Sequence, residues 1–66
     1  MSVAKVIEIC CESPESFEDA IESGIRHAQK TLKHVRGAWV GGQKVEIKDG
    51  KITAYRVDLK VTFVLE

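Results

Sequence analysis

Apolar residues fall into four blocks along the chain, and their spacing changes from block to block. Residues 3–11, Val-Ala-Lys-Val-Ile-Glu-Ile-Cys-Cys, are rich in β-branched side chains and predict a first strand. Phe17, Ala20, Ile21, Gly24, Ile25, Ala28, Leu32 and Val35 then recur at intervals of three and four. That spacing puts one apolar stripe on an amphipathic helix, expected to run to about His34. Ser13 suits its N-cap and Pro14 its first turn. Glu15, Glu18 and Asp19 near the start, and Arg26, Lys30 and Lys33 near the end, match the helix dipole. Gly24 weakens a helix by about 1 kcal/mol relative to alanine, which a close approach to a sheet would explain.

Residues 36–47 and 52–65 predict two more strands, with Lys48-Asp49-Gly50-Lys51 between them. Asp-Gly between extended segments signals a hairpin, because a type I′ turn needs positive φ at both central residues. The predicted fold class is therefore α+β in the order β-α-β-β, as a single domain over residues 1–66. The turn also fixes a register. Lys48 pairs with Lys51, which places Gln43 opposite Arg56 and Trp39 opposite Lys60. One face then carries Tyr55, Val57, Leu59, Val61, Phe63 and Leu65, with Ala38, Val40 and Gly42 opposed, and is expected to lie against the helix. The other face carries Trp39, Gln43, Arg56, Asp58, Lys60 and Thr62, with Gly37 and Gly41 interleaved. A bulge at Gly41-Gly42 would shift the residues beyond it.

Size makes that second face matter. A chain of 66 residues forms one small core, which alone rarely supplies more than roughly 3–5 kcal/mol. The two cysteines, Cys10 and Cys11, are adjacent and would point to opposite faces of a strand, so a bridge between them is not expected. Met1-Ser-Val-Ala-Lys has no basic-then-apolar leader, and the expectation is a reduced, cytoplasmic protein. No apolar run reaches membrane-spanning length, and ten Lys and Arg balance ten Asp and Glu, so neither a membrane nor a nucleic acid is an expected partner. Association with copies of itself is the remaining source of stability.

The candidate chemistry lies on the second face. Trp39 offers a π surface to a flat ligand or a cation, flanking glycines leave room for a ring, and Gln43 and Arg56 could bond its edge. Arg56, Lys60 and Lys44 also suit an anionic coenzyme. His27 and His34, seven apart, and the acidic group Glu12, Glu15, Glu18, Asp19 and Glu22 read as solvated surface. A metal there would need ligands from other subunits. No nucleophile, base and orienting group can be placed together, and Gly41-Gly42 is too little for a phosphate loop, so no catalysis is expected.

The assembled residues resemble the dodecin family, small flavin-binding proteins that form hollow dodecamers. The likeness runs through Lys5-Val6-Ile7-Glu8-Ile9, Ser13-Pro14-Glu15-Ser16-Phe17-Glu18, Lys30-Thr31-Leu32, Trp39-Val40, Gln43-Lys44-Val45, Tyr55-Arg56-Val57 and Lys60-Val61-Thr62-Phe63-Val64-Leu65-Glu66. It implies a three-stranded antiparallel sheet partly wrapped around one helix, and a homododecamer with cubic symmetry. It also implies flavin (riboflavin, FMN or FAD) stacked in pairs between tryptophans of related subunits, held for storage or buffering without turnover. Counted from Val40, the family's stacking tryptophan falls at Gly37, two residues before Trp39, and its flavin-edge glutamine falls at Arg56. The resemblance also leaves an alternative: the same assembly holding another coenzyme or a metal ion, or serving as structure alone.

Overall fold

The computed structural model describes residues 3–65. Strand β1 spans Ala4–Ser13, helix α1 Phe17–Ala28, strand β2 Val35–Lys48 and strand β3 Lys51–Val64. The order β-α-β-β is as expected. The three strands form one antiparallel sheet in the order β1-β3-β2, so β3 is central and the other two are edges. The turn between β2 and β3 has Asp49 at φ 52° and Gly50 at φ 75°, the paired left-handed geometry that the Asp-Gly dipeptide favours.

The helix begins later than the sequence suggests. Ser16, not Ser13, is its N-cap, and its hydroxyl accepts from the Asp19 N–H at 2.9 Å. Ser13 instead ends β1 and is buried. Its Oγ donates to Asp19 Oδ2 at 2.6 Å and accepts from the Glu15 N–H at 2.9 Å, so it pins the strand-to-helix turn through Pro14. Phe17 meets Tyr55 of β3 edge-to-face, with ring centroids 5.1 Å apart.

The helix also ends earlier, at Ala28 rather than near His34. Its last turn tightens into i→i+3 bonds, Lys30 N–H to the His27 carbonyl and Thr31 N–H to the Ala28 carbonyl. His34 then takes a left-handed φ of 61°, and its carbonyl accepts from the Val64 N–H at 3.1 Å, drawing the chain back to β3. Val35 continues the apolar spacing because it packs on the same core, but it does so from β2.

Three irregularities shape the hairpin: two that offset each other, and one that leaves Arg36 extra between Val35 and Gly37. Near the turn, Ile47 pairs with Ile52 and Lys48 with Lys51, as the two-residue loop requires. Thr53 is then an extra residue in β3, its hydroxyl donating to the Glu46 carbonyl at 3.3 Å. From Glu46 to Gln43 the register is offset by one: Lys44 faces Arg56 and Gln43 faces Val57. Gly41 and Gly42 together oppose the single Asp58 and restore the original register, so Trp39 does face Lys60. A Cβ at Gly41 would lie 3.3 Å from the Asp58 carbonyl oxygen, which favours glycine there. The expected Gln43–Arg56 pair is thus corrected, and the Trp39–Lys60 pair holds beyond the bulge.

The core lies between α1 and the β1–β3 pair: Cys11, Ala20, Val57, Leu59 and Val61 are buried, with Ile7, Ile9, Phe17, Ile21 and Ile25 packed around them. The helix packs on β1 and β3 but hardly on β2. Its 12 residues span about 18 Å, against roughly 46 Å for a 14-residue strand. The middle of the helix-side face of β2 is therefore bare, at Ala38 and Val40, and so is the hairpin end, where Ile47 is 65% and Ile52 51% exposed.

Gly24 sits where the helix comes closest to the sheet. A Cβ there would collide with Cys11 Sγ and lie 3.0 Å from Cys11 Cβ. Gly24→Ala should therefore destabilise by about 1–3 kcal/mol despite alanine's better helix propensity. Denaturant unfolding at fixed protein concentration checks this, and the added change Cys11→Ala should recover part of the loss. Gly24→Ala as stable as wild type would contradict the packing.

Candidate functional site

Strand alternation sorts the polar residues. On the face away from the helix, β1 places Glu8, Cys10 and Glu12 opposite Lys60, Asp58 and Arg56 of β3. β2 places Gly37, Trp39 and Lys44 opposite Thr62, Lys60 and Arg56. Of the five site residues expected from sequence, Trp39, Arg56, Lys60 and Gly37 share this face. Gln43 registers opposite Val57, on the helix side, yet contributes to the lining of a depression with Cys10, Gly42, Lys44, Arg56 and Asp58.

Trp39 is 70% exposed although it is the chain's one tryptophan. Lys60 Nζ lies 5.3 Å from its ring centroid, within cation–π range. Nothing lies within 4 Å of where a side chain at Gly37 would begin, so the space beside the ring is open.

Arg56 is occupied differently. Its Nη2 and Nε donate to Glu12 Oε1 at 2.8 and 3.2 Å, and its Nη1 lies 4.0 Å from Glu46 Oε2. Lys44 is 3.4 Å from the same Glu46 oxygen. The bond from Glu12 and its charge hold the guanidinium pKa above its ordinary value. The arrangement ties all three strands together across the outer face, with the Arg56 side chain still partly exposed. Sequence reasoning assigned Glu12 to the acidic group at the helix start. Its contact with Arg56 depends on β1 pairing with β3, which no local pattern reveals.

The remaining acidic residues and the two histidines do not converge. Among the described residues, no three His, Cys, Asp or Glu side chains are grouped to hold a metal ion. His34 lies outside the helix that carries His27. A cleft of about 400 Å³ lies away from Trp39, between β1 and α1, with Ile9, Cys11, Ala20 and Gly24 in its lining. No helix among the described residues is long and apolar enough to cross a membrane.

The dodecin family model matches residues 3–66. The chain belongs to the dodecin family. A calcium dodecin of Mycobacterium tuberculosis is 41% identical over 64 residues, which cover 96% of this chain and 89% of that protein. A crystal structure of that calcium dodecin, with what is described as a novel calcium-binding site, superposes with a TM-score of 0.86 at 36% identity, covering 98% of this chain and 93% of that one. The Streptomyces davaonensis dodecin superposes with a TM-score of 0.95 at 32% identity, covering 98% of this chain and 96% of that one. The dodecin fold, three antiparallel strands and one helix, is thereby shared along the whole described chain.

Within this dodecin fold the adjacent cysteines have opposite environments. Cys10 is exposed on the outer face, and Cys11 is buried beneath Gly24. Burial pushes the Cys11 thiol pKa up, helped by the nearby Cys10 and Asp58. A raised folded-state pKa means that the unfolded chain loses this proton first. The stability linked to Cys11 is therefore complete below the ordinary thiol pKa and lost as pH rises from there through the raised folded-state pKa. Iodoacetamide at neutral pH should leave Cys11 unmodified in the native protein and modify it after denaturation, as peptide mass mapping would show. Rapid native labelling of Cys11 would contradict this placement.

Proposed function

We propose that this dodecin assembles as a hollow homododecamer and holds flavin (riboflavin, FMN or FAD) for storage or buffering in the cytoplasm, without turnover. The observation that carries the reading is the Trp39 ring, largely exposed on an unpartnered sheet face with open space toward Gly37. A flat isoalloxazine ring is the ligand type that such a surface stacks well. Trp39 stands on the same face as Gly37, about 7 Å along the strand, with no bulge between them. It therefore supplies stacking from a displaced position, where the family resemblance places the aromatic at Gly37.

The fit is good for stacking and poor for edge recognition. Arg56 is already paired with Glu12, and Gln43 registers opposite Val57 on the helix side of the sheet. Affinity should come from the ring and from residues of neighbouring copies. The name of the calcium dodecin relative supports a second reading, in which calcium binds to carboxylates contributed by several copies.

Flavin fluorescence titration tests the first reading. Stacking on an indole should quench riboflavin or FMN at micromolar protein, and Trp39→Ala should weaken binding at least tenfold, on the order of the stacking contribution of one aromatic. No quenching by wild type would overturn the flavin reading. Calcium titration by calorimetry on the same sample distinguishes the second.

A further inference from the structure

The cations on the outer face of β2 and β3 are not equivalent. Arg56 is held by Glu12 and Glu46, and Lys44 by Glu46. Lys60 has no carboxylate within 4.0 Å among the described residues, and its ammonium rests over the Trp39 ring. Glu8 is its registered neighbour on β1 but makes no ion pair with it.

We infer that Lys60 is a specificity-determining residue that makes the Trp39 platform select planar ligands with an anionic group. This inference rests on the stacking role proposed for Trp39. A ring landing on the face that Lys60 covers must displace the ammonium and lose the cation–π contact. A neutral ligand gives nothing back. A ligand with a phosphate or carboxylate offers the displaced ammonium a charge-assisted hydrogen bond. Even a ring stacking on the opposite face leaves Lys60 beside the ligand with no carboxylate paired to it among the described residues. The pair thus penalises neutral rings and favours anionic ones through one side chain.

FMN and riboflavin make a matched pair of probes, sharing the ring and differing by the phosphate. Titrated into the assembled protein at low salt, FMN should bind about three- to tenfold tighter than riboflavin, which is the scale of one exposed charge contact plus one cation–π contact. Added salt should shrink that ratio. Lys60→Gln should bring the two affinities together, chiefly by weakening FMN, and Lys60→Arg should keep the preference. Equal affinities in wild type, or an undiminished preference in Lys60→Gln, would overturn the role of Lys60 and leave the stacking reading standing. Failure of both flavins to bind would overturn both.

Discussion

A short helix on a long sheet is the constraint from which the rest of this structure follows. Twelve residues of α1 lie over β1 and β3, while β2 and β3 each run for 14 residues. The closed core is limited to the region where they overlap. Everything beyond it is open: the middle of the helix-side face of β2, the isoleucine pair at the hairpin end, both sheet edges and the whole outer face. For a chain this small, such surfaces cost stability and invite association unless something covers them. Copies of the same chain are the partner proposed to do so. Residues with no role inside one chain, Val40, Ile47 and Ile52, would then acquire one at the interfaces.

Much of this fold was legible from spacing alone, because strands, hairpin turn and helix stripe each obey a local rule. Asp49-Gly50 set the register at the turn, and Trp39 still faces Lys60 some nine residues away. Between them the prediction slips at Gln43. The extra Thr53 in one strand and the Gly41-Gly42 pair in the other cancel, so the pairing from Val40 to Gly37 does not betray the offset between them. The helix ends were misplaced for related reasons. Ser13 and Ser16 both have capping chemistry, and only the length of β1 decides between them. Val35 keeps the helical period while belonging to a strand, because periodicity reports the side of the core, not the backbone conformation.

The candidate site was partly legible in the same sense. Trp39, Lys60 and Gly37 could be placed on one face because they lie on one uninterrupted stretch of β2 and its partner. Arg56 could be placed there too, but its role could not. Its partner Glu12 is 44 residues away in sequence, on a strand whose position in the sheet leaves no local trace. The pairing changes the chemistry of the face. It ties the residue at the family's ligand-edge position to the neighbouring strands, while Lys60 is the cation that rests over the aromatic ring.

Self-association is the claim on which the proposed site depends, since in one chain the Trp39 ring stands largely exposed on an open face. Light scattering coupled to size-exclusion chromatography measures it most directly. An assembly of about twelve times the 7.3 kDa chain mass is expected, persisting on dilution to micromolar concentration. A stable, folded species at the mass of one chain would contradict it.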